Sequence, residues 1–460
     1  MADFDLIVIG SGPGGEKGAA QAAYFGKKVV LFEKERVLGG AAANTGTLPS
    51  KTLRETALVL SGIQQRRLGG IDIALKDRVN ATDFMRHEKE VCEAERVRIR
   101  RNLERHRVEV IQATPALRDP QSVEFSARGK KETLKARKIL IATGTSPHHP
   151  PVFNFPQNGI YDSDTILKLQ DIPKSMTIVG GGVIGCEYAC MFQVLGVEVT
   201  LVDGKETLLP FLDSQISELL LQRMKALGIT MCLGANVEQV AKAADGFLIT
   251  LSSKVVISSE SILVASGRQG NTNGLGLDKV GITPNKRGLI DVNIHYQTVV
   301  PNIYAVGDVI GFPALASTSM EQGRVAMVHA FDLKYKSDLA PILPYGIYTI
   351  PECSMAGETE QALMEKKIPY VAGVAHYKDN ARGKIVGEES GILKLLFHKE
   401  TKALLGVHVL GEQSSELVHT GLVALLTKST ADLFIQTCFN YPTLTELYKY
   451  ATYDALGKIV

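Results

Sequence analysis

Phe4-Asp5-Leu6-Ile7-Val8-Ile9-Gly10-Ser11-Gly12-Pro13-Gly14-Gly15 is the stretch that decides the fold. A mostly apolar, strand-like run enters a turn of spaced glycines, and the small residues that follow suit a helix lying close to that strand. A second strand, Val29-Val30-Leu31-Phe32, ends at Glu33, 18 residues after Gly15. The scheme returns 170 residues later as Met176 to Val179, then Gly180-Gly181-Gly182-Val183-Ile184-Gly185, a helix, the strand Val197 to Val202, and Asp203. One glycine pattern of this kind is weak evidence, since glycine-rich turns are common. Two with the same spacing, each closed by a carboxylate, are strong.

Each position has a physical task. Gly10 and Gly180 make the tight turn, Gly12 and Gly182 let the backbone approach a pyrophosphate, and Gly15 and Gly185 let helix pack on strand. The helix N-terminus then faces the phosphate charge. A carboxylate at the end of the second strand accepts hydrogen bonds from a ribose diol, so Glu33 and Asp203 both predict unphosphorylated riboses. The fold class expected is α/β, with two Rossmann-like dinucleotide-binding domains and a C-terminal α+β domain.

The rest of the chain is consistent with that frame. With 460 residues, about three domains of roughly 150 residues are expected. The boundaries read are 1–150 and 271–340 for the first dinucleotide domain, 151–270 for the second, and 341–460 for the C-terminal domain. The 51 Lys and Arg nearly cancel the 49 Asp and Glu, so no overall field draws the chain to nucleic acid or an anionic membrane. The acidic start resembles no signal peptide and no stretch has the length of a membrane span, so a cytoplasmic protein is expected. Six cysteines, Cys92, Cys186, Cys190, Cys232, Cys353 and Cys438, form no CxxC pair and no metal cluster; they read as buried thiols.

Between the modules, Arg86 to Arg107 interleaves acidic and basic residues around Val91, Ala94, Val97 and Leu103, as a solvated helix does. The stretches Ile139 to Thr145 and Asn302 to Asp308 are apolar strands running into turns, where an open α/β sheet presents groups to a ligand. Asp308 there either meets a ribose or polyol or simply belongs to a Gly-Asp turn. From Leu343 onward, strand-like runs such as Gly391 to Phe397 and Leu404 to Val409 alternate with helical stretches and suit association.

These residues resemble the flavoprotein disulfide reductase superfamily over essentially the whole chain. Gly39 to Lys51, GGAAANTGTLPSK, lines up with its GGxCxNxGCxPSK element, and Phe439 to Glu446, FNYPTLTE, with its HAHPTxxE element. The resemblance implies FAD on the first module, NAD(H) or NADP(H) as substrate on the second, and a homodimer, or a larger assembly built on one, through the third. It assigns Gly40, Thr45, Thr143, Gly144, Gly267 and Ala316 to cofactor contacts along with the fingerprint residues. Both redox-cysteine positions carry other residues, Ala42 and Thr47, and both histidines of the C-terminal element are replaced, by Phe439 and Tyr441. Lipoamide, glutathione or mercuric reduction needs a thiolate and an acid/base, so those reactions are not expected here.

Within the superfamily the chain is most similar to the soluble pyridine nucleotide transhydrogenases, through Ser11 to Glu16, Thr349 to Glu352, Leu208 to Asp213 and the segment ending at Lys51. Hydride exchange between NADPH and NAD+ through a flavin needs no sulfur and no proton, and one nucleotide site used in turn gives ping-pong kinetics. By resemblance Lys51 sits near the flavin and pairs with Glu187, Tyr441 either donates a hydrogen bond near the ring or packs, and Glu446 orients its neighbours. Asp203 favours NADH, and Lys205 is close enough in sequence to reach the 2′-phosphate of NADPH. Two other readings fit the same residues: an NAD(P)H:quinone oxidoreductase, and a flavin-bound dinucleotide sensor without catalysis.

Overall fold

A computed structural model describes residues 2–62, 80–127 and 129–459. It divides into two compact units. The first comprises Met1–Thr52, Met85–His148 and Gly267–Leu339, and the second Leu53–Phe84, His149–Ser266 and Ala340–Val460.

In the first unit a parallel sheet has the strand order Glu109–Gln112, Val29–Glu33, Phe4–Ile9, Lys130–Ile141, Ile303–Ala305. The long strand Lys130–Ile141 also carries an antiparallel meander with Ser122–Ala127 and Ala116–Asp119. Ile7, Ile9, Val30, Phe32, Ile139 and Ile141 fill the core on one face, while Leu6, Val8, Leu31 and Leu140 fill the core on the other. Burial on both faces explains why these strands read as continuous apolar runs rather than alternating ones.

The helix after the glycine turn, Pro13–Tyr24, is built of small residues because it is crowded from two sides. A Cβ on Gly18 would stand 2.5 Å from Leu140 Cδ2, and one on Gly323, in the helix Ala316–Ala330, would stand 2.2 Å from the Gly14 carbonyl oxygen. The charged helix spans Ala81–Arg105; its buried apolar positions are Ala81, Phe84, Met85, Cys92, Ile99 and Leu103, and Ala94 is exposed. Its polar side is also used structurally: Arg96 reaches Asn44 Oδ1 at 2.7 Å and Asn102 reaches buried Glu16 at 2.7 Å.

The second unit repeats the parallel order with Thr230–Leu233, Glu198–Asp203, Ser175–Val179, Ser261–Val264 and Ile160–Asp162. It also holds an antiparallel sheet in the order Tyr345–Ile347, Cys353–Gly357, Leu404–Leu410, Ile392–His398, Tyr370–His376. Ile392–His398 is buried on both faces, with the helix Leu447–Gly457 packed on one. Within that strand lies Lys394, fully buried, with Nζ 2.7 Å from Asp213 Oδ1 and hydrogen-bonded to Glu360. Paired carboxylates are what make a lysine tolerable at that depth.

Candidate functional site

In both parallel sheets the glycine turn sits at the carboxyl end of the first strand, where the strand order reverses and ligands bind in open α/β folds. Gly10 has φ +101° and Gly180 φ +116°, a region L side chains rarely enter. A Cβ at Gly15 would lie 1.9 Å from the Gly10 carbonyl oxygen, and one at Gly185 would lie 1.7 Å from that of Gly180. The first and third glycines are therefore required by the turn itself in both modules.

The second glycine differs between them. Gly12 faces Gly40: a Cβ added at Gly12 would meet Gly40 Cα in ordinary contact at 3.9 Å, while one at Gly40 would stand 2.8 Å from Gly12 Cα, so two bare backbones face each other at the helix start. At Gly182 nothing lies within 4 Å of an added Cβ, and the residue is exposed.

The two strand-end carboxylates are also held differently. Glu33 Oε2 accepts from Ser11 N at 3.0 Å and Ser11 Oγ at 2.5 Å, and Oε1 accepts from Glu35 N at 2.9 Å. Ser11 Oγ in turn accepts from Gly39 N at 2.9 Å, which ties the glycine turn to the loop that carries Gly40. Asp203 accepts from Gly181 N at 2.5 Å and from Lys205 N at 2.7 Å. A carboxylate has about four acceptor directions, so both retain capacity for a ribose hydroxyl, Asp203 more than Glu33. The Lys205 side chain is exposed, and it is the backbone of that residue that holds Asp203.

Two neighbouring strand ends in the first unit bring further expected residues to one edge. Thr143 and Gly144 follow Lys130–Ile141, and Asp308 follows Ile303–Ala305 in a short turn ahead of the helix that begins at Ala316. The Thr143 hydroxyl is buried with no partner among the described residues. Burial raises the Asp308 carboxyl above the usual range, offset in part by Arg268 and by the Thr145 hydroxyl, 3.3 Å away. Arg268 donates to Thr145 through Nε at 2.8 Å and through its second amino group to the Thr145 carbonyl at 2.7 Å. Sequence reading singled out Gly267, which is exposed, and missed the arginine beside it, whose only signal was that adjacency.

Gly40 opens the short helix Gly40–Asn44, which Thr45 ends, and Lys51 lies on the helix Thr47–Ser61 with Nζ 3.4 Å from Ser50 Oγ. Lys51 belongs to the first unit and Glu187 to the second. Glu187 is 3% exposed and accepts from Tyr348 N at 2.9 Å. Tyr441 does not pack into this chain; it is 68% exposed. Glu446 lies 3.5 Å from both Asn380 Nδ2 and Tyr450 Oη, so the neighbours it touches are those.

The thiols depart from the expectation at one end of the chain: Cys92, Cys186, Cys190 and Cys353 are buried, Cys232 is half-buried and Cys438 is exposed. Burial pushes Cys190 and Cys353 up to about 12 and Cys186 well above its ordinary value, the opposite of what a nucleophilic thiolate needs.

Among the described residues no helix is long and apolar enough to cross a membrane. The family model described as pyridine nucleotide-disulphide oxidoreductase matches residues 4–323, and the model of that family's dimerisation domain matches residues 343–452. A protein of Mycobacterium bovis (strain BCG / Pasteur 1173P2) named soluble pyridine nucleotide transhydrogenase is 43% identical over 461 residues, covering 100% of this chain and 98% of the relative. A protein of the same name from Yersinia enterocolitica is 39% identical, with 99% and 98% covered. The crystal structure of LpdA from Mycobacterium tuberculosis superposes with a TM-score of 0.89 at 26% identity, covering 97% of this chain and 99% of that one. The HOCl-induced flavoprotein disulfide reductase RclA from Escherichia coli shares the fold, with a TM-score of 0.88 at 24% identity over 99% of this chain and 100% of that one. With two complete glycine turns of the same construction and family models spanning nearly all of it, the chain is an oxidoreductase and belongs to the pyridine nucleotide-disulphide oxidoreductase family.

Proposed function

We propose that the protein is an FAD-dependent pyridine nucleotide transhydrogenase that passes a hydride between NADPH and NAD+ by ping-pong turnover without a redox disulfide. The observation that carries this reading is the pairing of two complete dinucleotide cradles with Ala42 and Thr47 at the positions where the superfamily keeps its cysteine pair. The name of the 43% identical mycobacterial relative supports it.

The first module suits FAD. Gly12 and Gly40 offer bare backbone at a helix N-terminus for a pyrophosphate, the buried Thr143 hydroxyl offers a donor, and Asp308 offers a half-buried carboxyl to a polyol. When bound, the flavin supplies a two-electron carrier. Glu33 would take the adenosine ribose of FAD. In the second module Gly182 and the N-terminus of the helix Val183–Val194 would take the pyrophosphate of either nicotinamide nucleotide, Asp203 the NADH ribose, and Lys205 the 2′-phosphate of NADPH.

Lys51 would bring a positive charge to the ring, where a cation favours the reduced, anionic state, and Glu187 would be a second catalytic group. The exposed Tyr441 would face a second copy of the chain in a homodimer. None of these groups has to move a proton to sulfur, which agrees with a hydride-only reaction.

The test is turnover of NADPH with a thio-analogue of NAD+ measured beside turnover with quinones. Parallel-line ping-pong kinetics with the nucleotide pair are expected. Fast quinone reduction with negligible nucleotide exchange would sink the proposal.

A further inference from the structure

Residues 348–352 join two antiparallel strands, Tyr345–Ile347 and Cys353–Gly357, yet this hairpin loop is buried rather than lying on the surface as most loops do. Thr349 is fully buried and Ile350 nearly so. A loop at that depth must have its backbone groups satisfied by something other than water.

Arg54, itself 6% exposed, does part of this from the helix that carries Lys51 one turn earlier. Its Nε donates to the Thr349 carbonyl at 3.1 Å, and one amino group lies 3.2 Å from Glu352 Oε1. The other oxygen of Glu352 accepts from Ser415 N at 3.2 Å and Ser415 Oγ at 3.0 Å, at the start of the helix Ser414–Leu426. A helix N-terminus and a guanidinium therefore hold one carboxylate between them. The same Arg54 amino group also meets Glu55, but that partner is largely exposed and adds little.

At the other end of the loop, the Tyr348 amide donates to Glu187 at 2.9 Å. One turn further along the Glu187 helix, Cys190 Sγ lies 3.9 Å from the Ile350 carbonyl. The loop thus has two fixed ends, and the Glu187 carboxylate hangs on one of them.

We propose that Arg54 and Glu352 are a positioning pair: by bracing the loop 348–352 they fix the Tyr348 amide, and through it the Glu187 carboxylate. This rests on the reading of Glu187 given above. Neither Arg54 nor Glu352 needs to touch substrate or flavin, and the effect of the pair is to keep the Glu187 oxygens from relaxing toward other donors.

The experiment uses the purified flavin-loaded protein and the variants Arg54→Met, Arg54→Lys, Glu352→Gln and Glu187→Gln. Three readouts are taken: hydrogen exchange of the Tyr348 amide, the midpoint potential of the bound flavin, and the rate of flavin reduction by NADPH. Arg54→Met is expected to speed the exchange, shift the potential in the same direction as Glu187→Gln, and slow reduction about 10- to 100-fold with little change in nucleotide affinity, the scale of a small misplacement near a reacting centre. Combining it with Glu187→Gln should add almost nothing, because both act on one carboxylate. Arg54→Lys should recover only part, since an ammonium cannot serve the Thr349 carbonyl and Glu352 with the geometry of a fork. Glu352→Gln, which keeps an acceptor for Ser415, gives the same comparison if Arg54→Met does not fold.

Wild-type exchange, potential and reduction rate in Arg54→Met, or in Glu352→Gln, would overturn the proposal while leaving the role of Glu187 standing if Glu187→Gln is slow. A Glu187→Gln variant reduced as fast as the wild type would overturn both together.

Discussion

In the first module the strand-end carboxylate, Glu33, is buried and takes three hydrogen bonds, two from Ser11 in the glycine turn and one from Glu35, while in the second the equivalent Asp203 is half-buried and takes two. Gly12 faces Gly40, whereas Gly182 opens to solvent. The turns themselves have the same dihedral sense and the same two backbone collisions waiting at the first and third glycines. What differs is enclosure: one cradle is finished by its own chain and the other is left for the ligand to finish. That is the contrast expected between a nucleotide that stays and nucleotides that come and go.

The contrast breaks most visibly at the glycines the modules share. Gly15→Val and Gly185→Val should each cost more than about 4 kcal/mol, because a Cβ must displace backbone, and neither variant should give a normal melting transition. By contrast Gly182→Ala should leave the melting temperature unchanged and weaken nucleotide binding, and Gly12→Ala should abolish flavin uptake. Equal tolerance at Gly12 and Gly182 would remove the distinction.

Removing Lys394 is the next largest effect. Lys394→Met leaves the buried Asp213 and the half-buried Glu360 without their cation, a loss of about 3–5 kcal/mol for the broken buried Lys394–Asp213 pair. Urea unfolding followed by flavin fluorescence and by circular dichroism should then separate, with the flavin signal lost last.

At the carboxylates the expected costs diverge. Glu33→Gln should cost about 2 kcal/mol, the scale of leaving a buried donor poorly matched, and should lower flavin affinity. Asp203→Asn should stay within about 0.5 kcal/mol of wild type in stability and raise the KM for NADH far more than that for NADPH.

The smallest effect is a pH dependence. The Asp308 carboxyl is raised by burial, so the stability it lends the flavin-free protein is complete below the ordinary carboxyl range and is lost as pH rises through the raised value. Asp308→Asn should therefore gain on the wild type as pH climbs from 4 to 7, measured as the difference in melting temperature of the two apoproteins. A difference that stays flat with pH would mean the carboxyl is not penalised.

The periodic parts of this molecule were readable before any coordinates. Strand Phe4–Ile9, its turn, its helix and Glu33 are local features whose residues all lie within a short span, and the second copy confirms the grammar. What escaped is long-range. Arg54 meets Thr349 across 295 positions and Lys394 meets Asp213 across 181, and nothing in the local pattern of either basic residue marks it as buried. The charged helix was legible as a solvated one, but of the apolar residues that spacing marks only Leu103 is fully buried, because interleaved charges hide which face turns inward. Tyr441 was equally opaque, since a tyrosine's sequence neighbours do not tell an exposed ring from a packed one.

The glycine collisions have a genetic side. Every single-base change in a glycine codon that alters the amino acid adds a β-carbon, so Gly10, Gly15, Gly180 and Gly185 have no harmless neighbours in sequence space. Gly26 shares the positive φ of Gly10 and Gly180 but has empty space around it, and an aspartate there, one base change away from a GGT or GGC codon, would be tolerated. Drift in this gene should therefore pass more readily at Gly26, where only the backbone strain opposes it, than at the four glycines where a collision is added.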